Sequence, residues 1–135
     1  MGTRSLTRVF DGDTEIACIY KQFDGYPSGL GQDLYEFVNS CYLVNGFNAK
    51  DQFNGAGDLA ARLVVLLREG AVDGPGGVYL VAPGTKDMDE EYVYEIRCPK
   101  RGTDWDLTST GERVYAQLAC FSVFSKEEID LKEIS

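Results

Sequence analysis

The residues best suited to chemistry concentrate in Tyr20–Gly31, YKQFDGYPSGLG. Gly25 permits a positive φ and Pro27 stiffens the turn after it. Gly29 and Gly31 let backbone N–H groups approach a ligand closely, just where a helix is predicted to begin. The first N–H groups of a helix lack intrahelical partners, so such a start is a ready cradle for phosphate or carboxylate. Tyr20, Phe23 and Tyr26 offer faces on which a base can stack. Lys21, with Arg4, Arg8 or Lys86, offers positive charge. The candidate ligand-binding set is therefore Arg4, Arg8, Lys21, Gln22, Asp24, Tyr26, Ser28, Gly29, Gly31 and Lys86. The simpler alternative is a strand-to-helix turn that uses glycine and proline for geometry alone.

Other constellations are weaker. The stretch is no P-loop, since G-x-x-x-x-G-K-[ST] is absent, and no dinucleotide fingerprint, since the third glycine and a surrounding βαβ unit are missing. Asn54–Asp58 (NGAGD) is a second glycine-rich lead into a helix, and two helix starts on one side of a sheet would frame one pocket. The loops Asp73–Gly77 and Pro83–Asp87 are read as turns, with Thr85 and Lys86 within reach of an anion as the alternative. Asp11 and Asp13 superficially suggest a calcium loop, but the continuation of that motif is absent and a hairpin tip explains them. Asp87, Asp89, Glu90 and Glu91 read as a solvated loop. No metal and no cofactor is called for. The chain has no histidine, which removes Ser-His-Asp triads, His-ligated zinc and imidazole acid–base chemistry. Asp24, Glu36, Tyr26 and Cys41 have no catalytic partner at motif spacing, which leaves a carboxylate-dependent hydrolase as a minor alternative.

Charge narrows the partners. Thirteen basic against 22 acidic residues give −9 over 135 residues. Residues 1–86 carry 7 basic and 10 acidic groups, and residues 87–135 carry 6 and 12. Such a field repels nucleic acid, whose binding rests on phosphate neutralisation, so no nucleic-acid polymer is expected. A compact anion in a local pocket remains compatible with it, because distant charges are screened. No apolar run approaches the ~18 residues of a membrane span, and the first residues, Met1–Ser5, lack the apolar core of a signal peptide. Cys18, Cys41, Cys98 and Cys120 are widely spaced with no C-x-x-C, which predicts buried free thiols and a cytoplasmic setting.

The elements that must position these residues follow from periodicity. Residues 4–10 and 14–22 flank Asp11-Gly12-Asp13 as a hairpin. Gln32–Leu43 has Leu34, Phe37, Val38, Cys41 and Tyr42 on one helical face, and Asp58 caps a second helix with Leu59, Leu63, Leu66 and Leu67 in its stripe. Strands are predicted at 78–82, 92–98 and 113–120, with a polar segment around Trp105 read as a short strand or loop. Ser125–Glu128 matches a capping box, so a short C-terminal helix or a frayed tail is expected. The order β-β-α-α-β-β-β predicts a single α+β domain, an antiparallel sheet with two helices packed on one face and the other face open for docking.

The segment GTRSLT at Gly2–Thr7, together with Tyr20-x-Gln22-x-Asp24-Gly25-Tyr26-Pro27-x-Gly29-x-Gly31, resembles a group of small bacterial and phage proteins of no assigned activity. Asp73–Gly77, Pro83–Lys86 and Glu91-Tyr92 also resemble that group. The resemblance covers most of the first hundred residues, and a phage setting implies a counter-defence role. The expected function is a non-enzymatic domain, a homo-oligomer with pockets between copies, that sequesters a phosphate-bearing ligand such as a cyclic nucleotide. The alternative is an acidic inhibitor that docks on a basic host effector or nucleic-acid-binding protein through its C-terminal part.

Overall fold

A computed structural model describes residues 2–44, 52–69, 77–99 and 114–131. The hairpin forms as β1 (Ser5–Asp11) and β2 (Thr14–Lys21), turning at Gly12 with φ 61°. A bulge between Val9 and Phe10 shifts the register by one residue. The extra residue is Ile16 of β2, which has no partner on β1, so it reverses which face the later side chains of β2 meet. A wide helical turn over Pro27–Gly31 runs directly into α1 (Gln32–Ser40). Next come β3 (Tyr42–Val44), β4 (Gln52–Asn54) and α2 (Gly55–Leu67). β5 (Val78–Val81), β6 (Tyr92–Cys98), β7 (Gln117–Ser122) and β8 (Glu128–Ile129) complete the order.

The fold is α+β. Among the described residues its main sheet has six strands in the order β5-β2-β1-β6-β7-β8. Both helices lie on one face, where Leu34, Val38, Leu59, Leu63 and Leu67 meet Val9, Ile19, Val78, Tyr94, Ile96 and Cys120. Each such fully buried aliphatic side chain contributes about 1.5–3 kcal/mol of transfer free energy.

Several elements differ from expectation. The sheet is antiparallel except at its centre, where β1 pairs with β6 in parallel. The reason is the connection across residues 82–91. β5, beyond β2, and β6, beside β1, both run in the direction of β1, so the chain must cross the sheet between them. It crosses on the face away from the helices, turning at Gly84 (φ 84°), Asp87 (φ 64°) and Asp89 (φ 59°). Met88 there packs on Leu6, Cys18 and Tyr20, so the face expected to be open for docking is partly covered by the chain itself.

α1 stops at Ser40, where Ser40 Oγ donates to the Phe37 carbonyl at 2.7 Å and Cys41 turns extended. Tyr42–Val44 then pairs in parallel with β4 instead of prolonging the helix. α2 begins earlier than Asp58: its cap is Asn54, and Asp58 Oδ2 accepts from the Asn54 N–H at 2.9 Å. Where a short C-terminal helix or a frayed tail is expected, the described residues form a turn followed by β8, with the Ser122 N–H on the Glu127 carbonyl and the Lys126 N–H on the Ser122 carbonyl, and residues 132–135 lie outside the described residues. The expected segment near Trp105 and residues 73–76 lie outside the described residues.

Candidate functional site

A groove of about 920 Å³ opens between the 21–30 turn, α1 and the C-terminal end of α2. α1 supplies it with Asp33, Glu36, Phe37 and Ser40. That spacing puts all four on one helical side, while Leu34 and Val38 face the core. α2 supplies Val65, Leu66, Leu67 and Glu69. The apolar run Leu63–Leu67 is wider than one helical face, so Val65 and Leu66 project outward with 60% and 43% of their surface exposed.

The turn is built by close backbone approach. Asp24 adopts a left-handed conformation at φ 59°, and the Gly25 N–H donates to the Thr3 carbonyl at 2.9 Å. The buried Tyr94 hydroxyl donates to the Gly25 carbonyl at 2.7 Å. A Cβ on Gly25 would lie 2.6 Å from Ser5 Oγ and 2.8 Å from the Thr3 carbonyl oxygen, so this position requires glycine. A Cβ on Gly29 would meet the Tyr26 ring at 2.8 Å. Gly29 thus seats Tyr26 beside the groove.

The expected amide cradle is not assembled. Gly29 N–H and Gly31 N–H donate to the Tyr26 carbonyl at 3.0 and 3.4 Å, and Leu30 N–H to that of Asp24 at 3.3 Å. The Gln32 N–H is likewise taken by the carbonyls of Pro27 and Gly29. The wide turn continues the hydrogen-bond ladder ahead of α1, so the free donors of an ordinary helix start are used internally. Nor do two helix starts frame the site: the groove joins the start of α1 to the end of α2.

Lys21, Asp24, Tyr26 and Gly29 are brought together in this groove. The other predicted residues are not. Arg8 points to the opposite face, where it bonds Glu15 Oε2 at 3.0 Å and the Thr85 carbonyl, clamping the crossover. Gly84 N–H also donates to Glu15 Oε2, at 2.8 Å. Arg4 lies in a second hollow with Asp87, Asp89, Glu90, Glu91 and Phe124. Lys86 and Ser28 are exposed away from the groove. Gly31 is buried, pressed toward Leu131 and Tyr94, and the Gln22 N–H is engaged by the Gly77 carbonyl at 2.9 Å.

Sequence reasoning missed Asp33, Phe37, Ser40, Val65 and Glu69, and it placed Leu66 in the buried stripe. The excess width of the 63–67 apolar run was the available signal.

The groove's charge is lopsided. Among the described residues, one ammonium, Lys21, stands against four carboxylates, Asp24, Asp33, Glu36 and Glu69. The end of α2 also turns its partial negative charge toward the same region. Among the described residues, no group of three or more acids, cysteines or histidines is placed to hold a metal ion. Ser40 Oγ donates to the Phe37 carbonyl at 2.7 Å.

All four cysteines are buried free thiols. Burial pushes Cys18 up to about 11, Cys98 up to about 12 and Cys120 up to about 11. They are core residues and poor nucleophiles. Among the described residues, no helix is long and apolar enough to cross a membrane. No family model matches this chain, and neither a curated protein nor a solved structure shows significant similarity to it.

Proposed function

We propose that this chain is a non-enzymatic binding protein whose groove holds a small organic cation with an apolar or aromatic body. The observation that carries this reading is the lining: four carboxylates and a helix C-terminus around one lysine, beside exposed Val65, Leu66 and Tyr26. The same lining disfavours the phosphate-bearing ligand expected from the glycine pattern, because developing that contact would set like charges together without free amides to offset them. Each exposed carboxylate–ammonium contact is worth only about 0.2–1 kcal/mol, so affinity depends on several acting together with apolar burial. Binding without turnover is what sequestration of a signal molecule requires.

Thermal unfolding with a ligand panel tests the proposal. Spermidine, agmatine and tyramine are expected to raise the midpoint, and cyclic nucleotides to leave it unchanged. A ligand at 100 times its Kd adds about 2.7 kcal/mol, a shift of several degrees for a chain of this size. The paired variant Asp33→Asn/Glu36→Gln should lose most of that shift. Stabilisation by nucleotides, with none by amines, refutes the proposal.

A second reading, an acidic inhibitor of a basic effector, draws on the exposed Asp87 and Asp89 and on Glu90 and Glu91 around Arg4. It predicts salt-sensitive partner binding that disappears when those four are neutralised, and binding that survives neutralisation removes it.

A further inference from the structure

We propose that two copies of this chain join edge to edge through β5, in an antiparallel pair centred on Leu80. β5 is the outermost strand on its side of the sheet, and among the described residues no strand pairs beyond it.

The direction of its free groups follows from register. Gly77 and Gln22 are opposite one another, and the Gln22 N–H donates to the Gly77 carbonyl at 2.9 Å, so this is a hydrogen-bonded pair. Hydrogen-bonded pairs alternate in an antiparallel ladder, so Tyr79 and Val81 also turn their N–H and C=O groups inward to β2. Val78 and Leu80 turn theirs outward. The outward carbonyl of Val78 is taken by Arg68 Nη1 at 2.9 Å. That leaves the Val78 N–H and both the N–H and C=O of Leu80 facing outward.

The side chains agree with the backbone. β5 reads Val-Tyr-Leu-Val, with no charge, proline or bulge, and it leaves Tyr79 48% and Leu80 60% exposed. Edge strands are ordinarily blunted by charge, proline or shortness. β8, the opposite edge, is only two residues long, begins with Glu128 and is followed by Asp130. The β8 edge is therefore guarded by shortness and charge, whereas on β5 Arg68 covers the Val78 carbonyl and leaves Leu80 open.

A second copy is the occupant this edge fits best. Two-fold antiparallel pairing keeps each sheet face continuous, so opposed residues must share a face. Centring the axis on Leu80 sets Leu80 against Leu80 of the second copy, exchanging both outward groups. It also sets Tyr79 against Val81 of the second copy, an aromatic and β-branched pair. Centring on Tyr79 would put the Val78 carbonyl, which Arg68 already holds, into both innermost hydrogen-bonded pairs, whereas the Leu80 register calls on it only in the outer Val78–Ala82 pairs and leaves the central Leu80 pair free to form. No like charges on β5 oppose each other in the Leu80 register. This interface lies outside the ligand groove's charged lining and stands independently of the function proposed for it.

Sedimentation equilibrium of the full chain tests the proposal. From low micromolar to submillimolar protein, the apparent mass should rise from that of one chain, 14.9 kDa, toward twice that value. L80K, a change at an exposed side chain, should stay at one-chain mass with an unchanged unfolding midpoint. In the wild type, hydrogen exchange at the Leu80 amide should slow as concentration rises, while that of Tyr79, already bonded inward, stays constant. The proposal is overturned by a wild type that remains monomeric at the highest concentration. It is overturned equally by a dimer that folded L80K preserves, or by Leu80 exchange that ignores concentration. If L80K does not fold, the exchange measurement decides alone. Concentration-independent exchange at Leu80, with protection only when an extended peptide of another protein is added, assigns the edge to a foreign strand and rejects the dimer.

Discussion

At the scale of single residues, the groove depends on Gly25, which lies in the chain between the lining residues Asp24 and Tyr26. Gly25 lies against Ser5 and Thr3, and its carbonyl accepts the Tyr94 hydroxyl. Gly25→Ala forces a methyl group into an occupied space and should cost about 1–3 kcal/mol. Tyr94→Phe leaves the Gly25 carbonyl without its donor and should cost a similar ~1–3 kcal/mol. Denaturant midpoints measure both, and the two losses should not add, because they loosen the same turn. The buried thiols give a second expectation. Cys18, Cys98 and Cys120 hold their protons up to about 11, 12 and 11, against an ordinary value of 9.0. The folded state therefore binds more protons than the unfolded state above pH 9. Their contribution is fully present below pH 9 and declines as pH rises from there toward 11–12. Unfolding midpoints should fall across that window, and alkylation of these three thiols at pH 8 should require unfolding.

At the scale of elements, Arg8 clamps the crossover over residues 82–91, beside the packing of Met88. Arg8 bonds Glu15 and the Thr85 carbonyl, and Glu15 in turn accepts from Gly84. Arg8→Met should cost about 1–3 kcal/mol by leaving Glu15 and Thr85 under-satisfied. Hydrogen exchange should show the loss first as faster exchange in residues 82–91, with α1 and α2 unchanged. The elements differ in how far they could be read from sequence. β6 was legible because Tyr92–Cys98 alternates and Pro99 closes it, and the hairpin because Asp-Gly dictates a tight turn. The parallel pairing of β1 with β6 was not, since it is imposed by a crossover that no local pattern encodes. The bulge at Val9/Phe10 misled the site most. Counting back from the turn without it, Lys21 falls opposite Arg4 and on the same face; with it, Lys21 pairs with Ser5 and joins the helix side. One extra residue thus separates the lysine from both arginines. The acids of α1 were illegible for a different reason. Asp33 and Glu36 look like an ordinary solvated stripe until α2 ends beside them.

At the scale of the whole molecule, net charge and local lining act in the same direction. A chain of −9 whose groove is itself acidic concentrates cations and repels anions, with the long-range part screened beyond about 8–10 Å at physiological salt. The most direct test of the account is backbone amide NMR during titration with a small aromatic amine such as tyramine. The account predicts saturable shifts confined to Lys21–Leu30, Asp33–Ser40 and Val65–Glu69, weakening as salt is raised, and no such shifts with a cyclic nucleotide. Saturable shifts from the nucleotide at those same amides, or amine shifts centred on the 82–91 crossover instead, would contradict it.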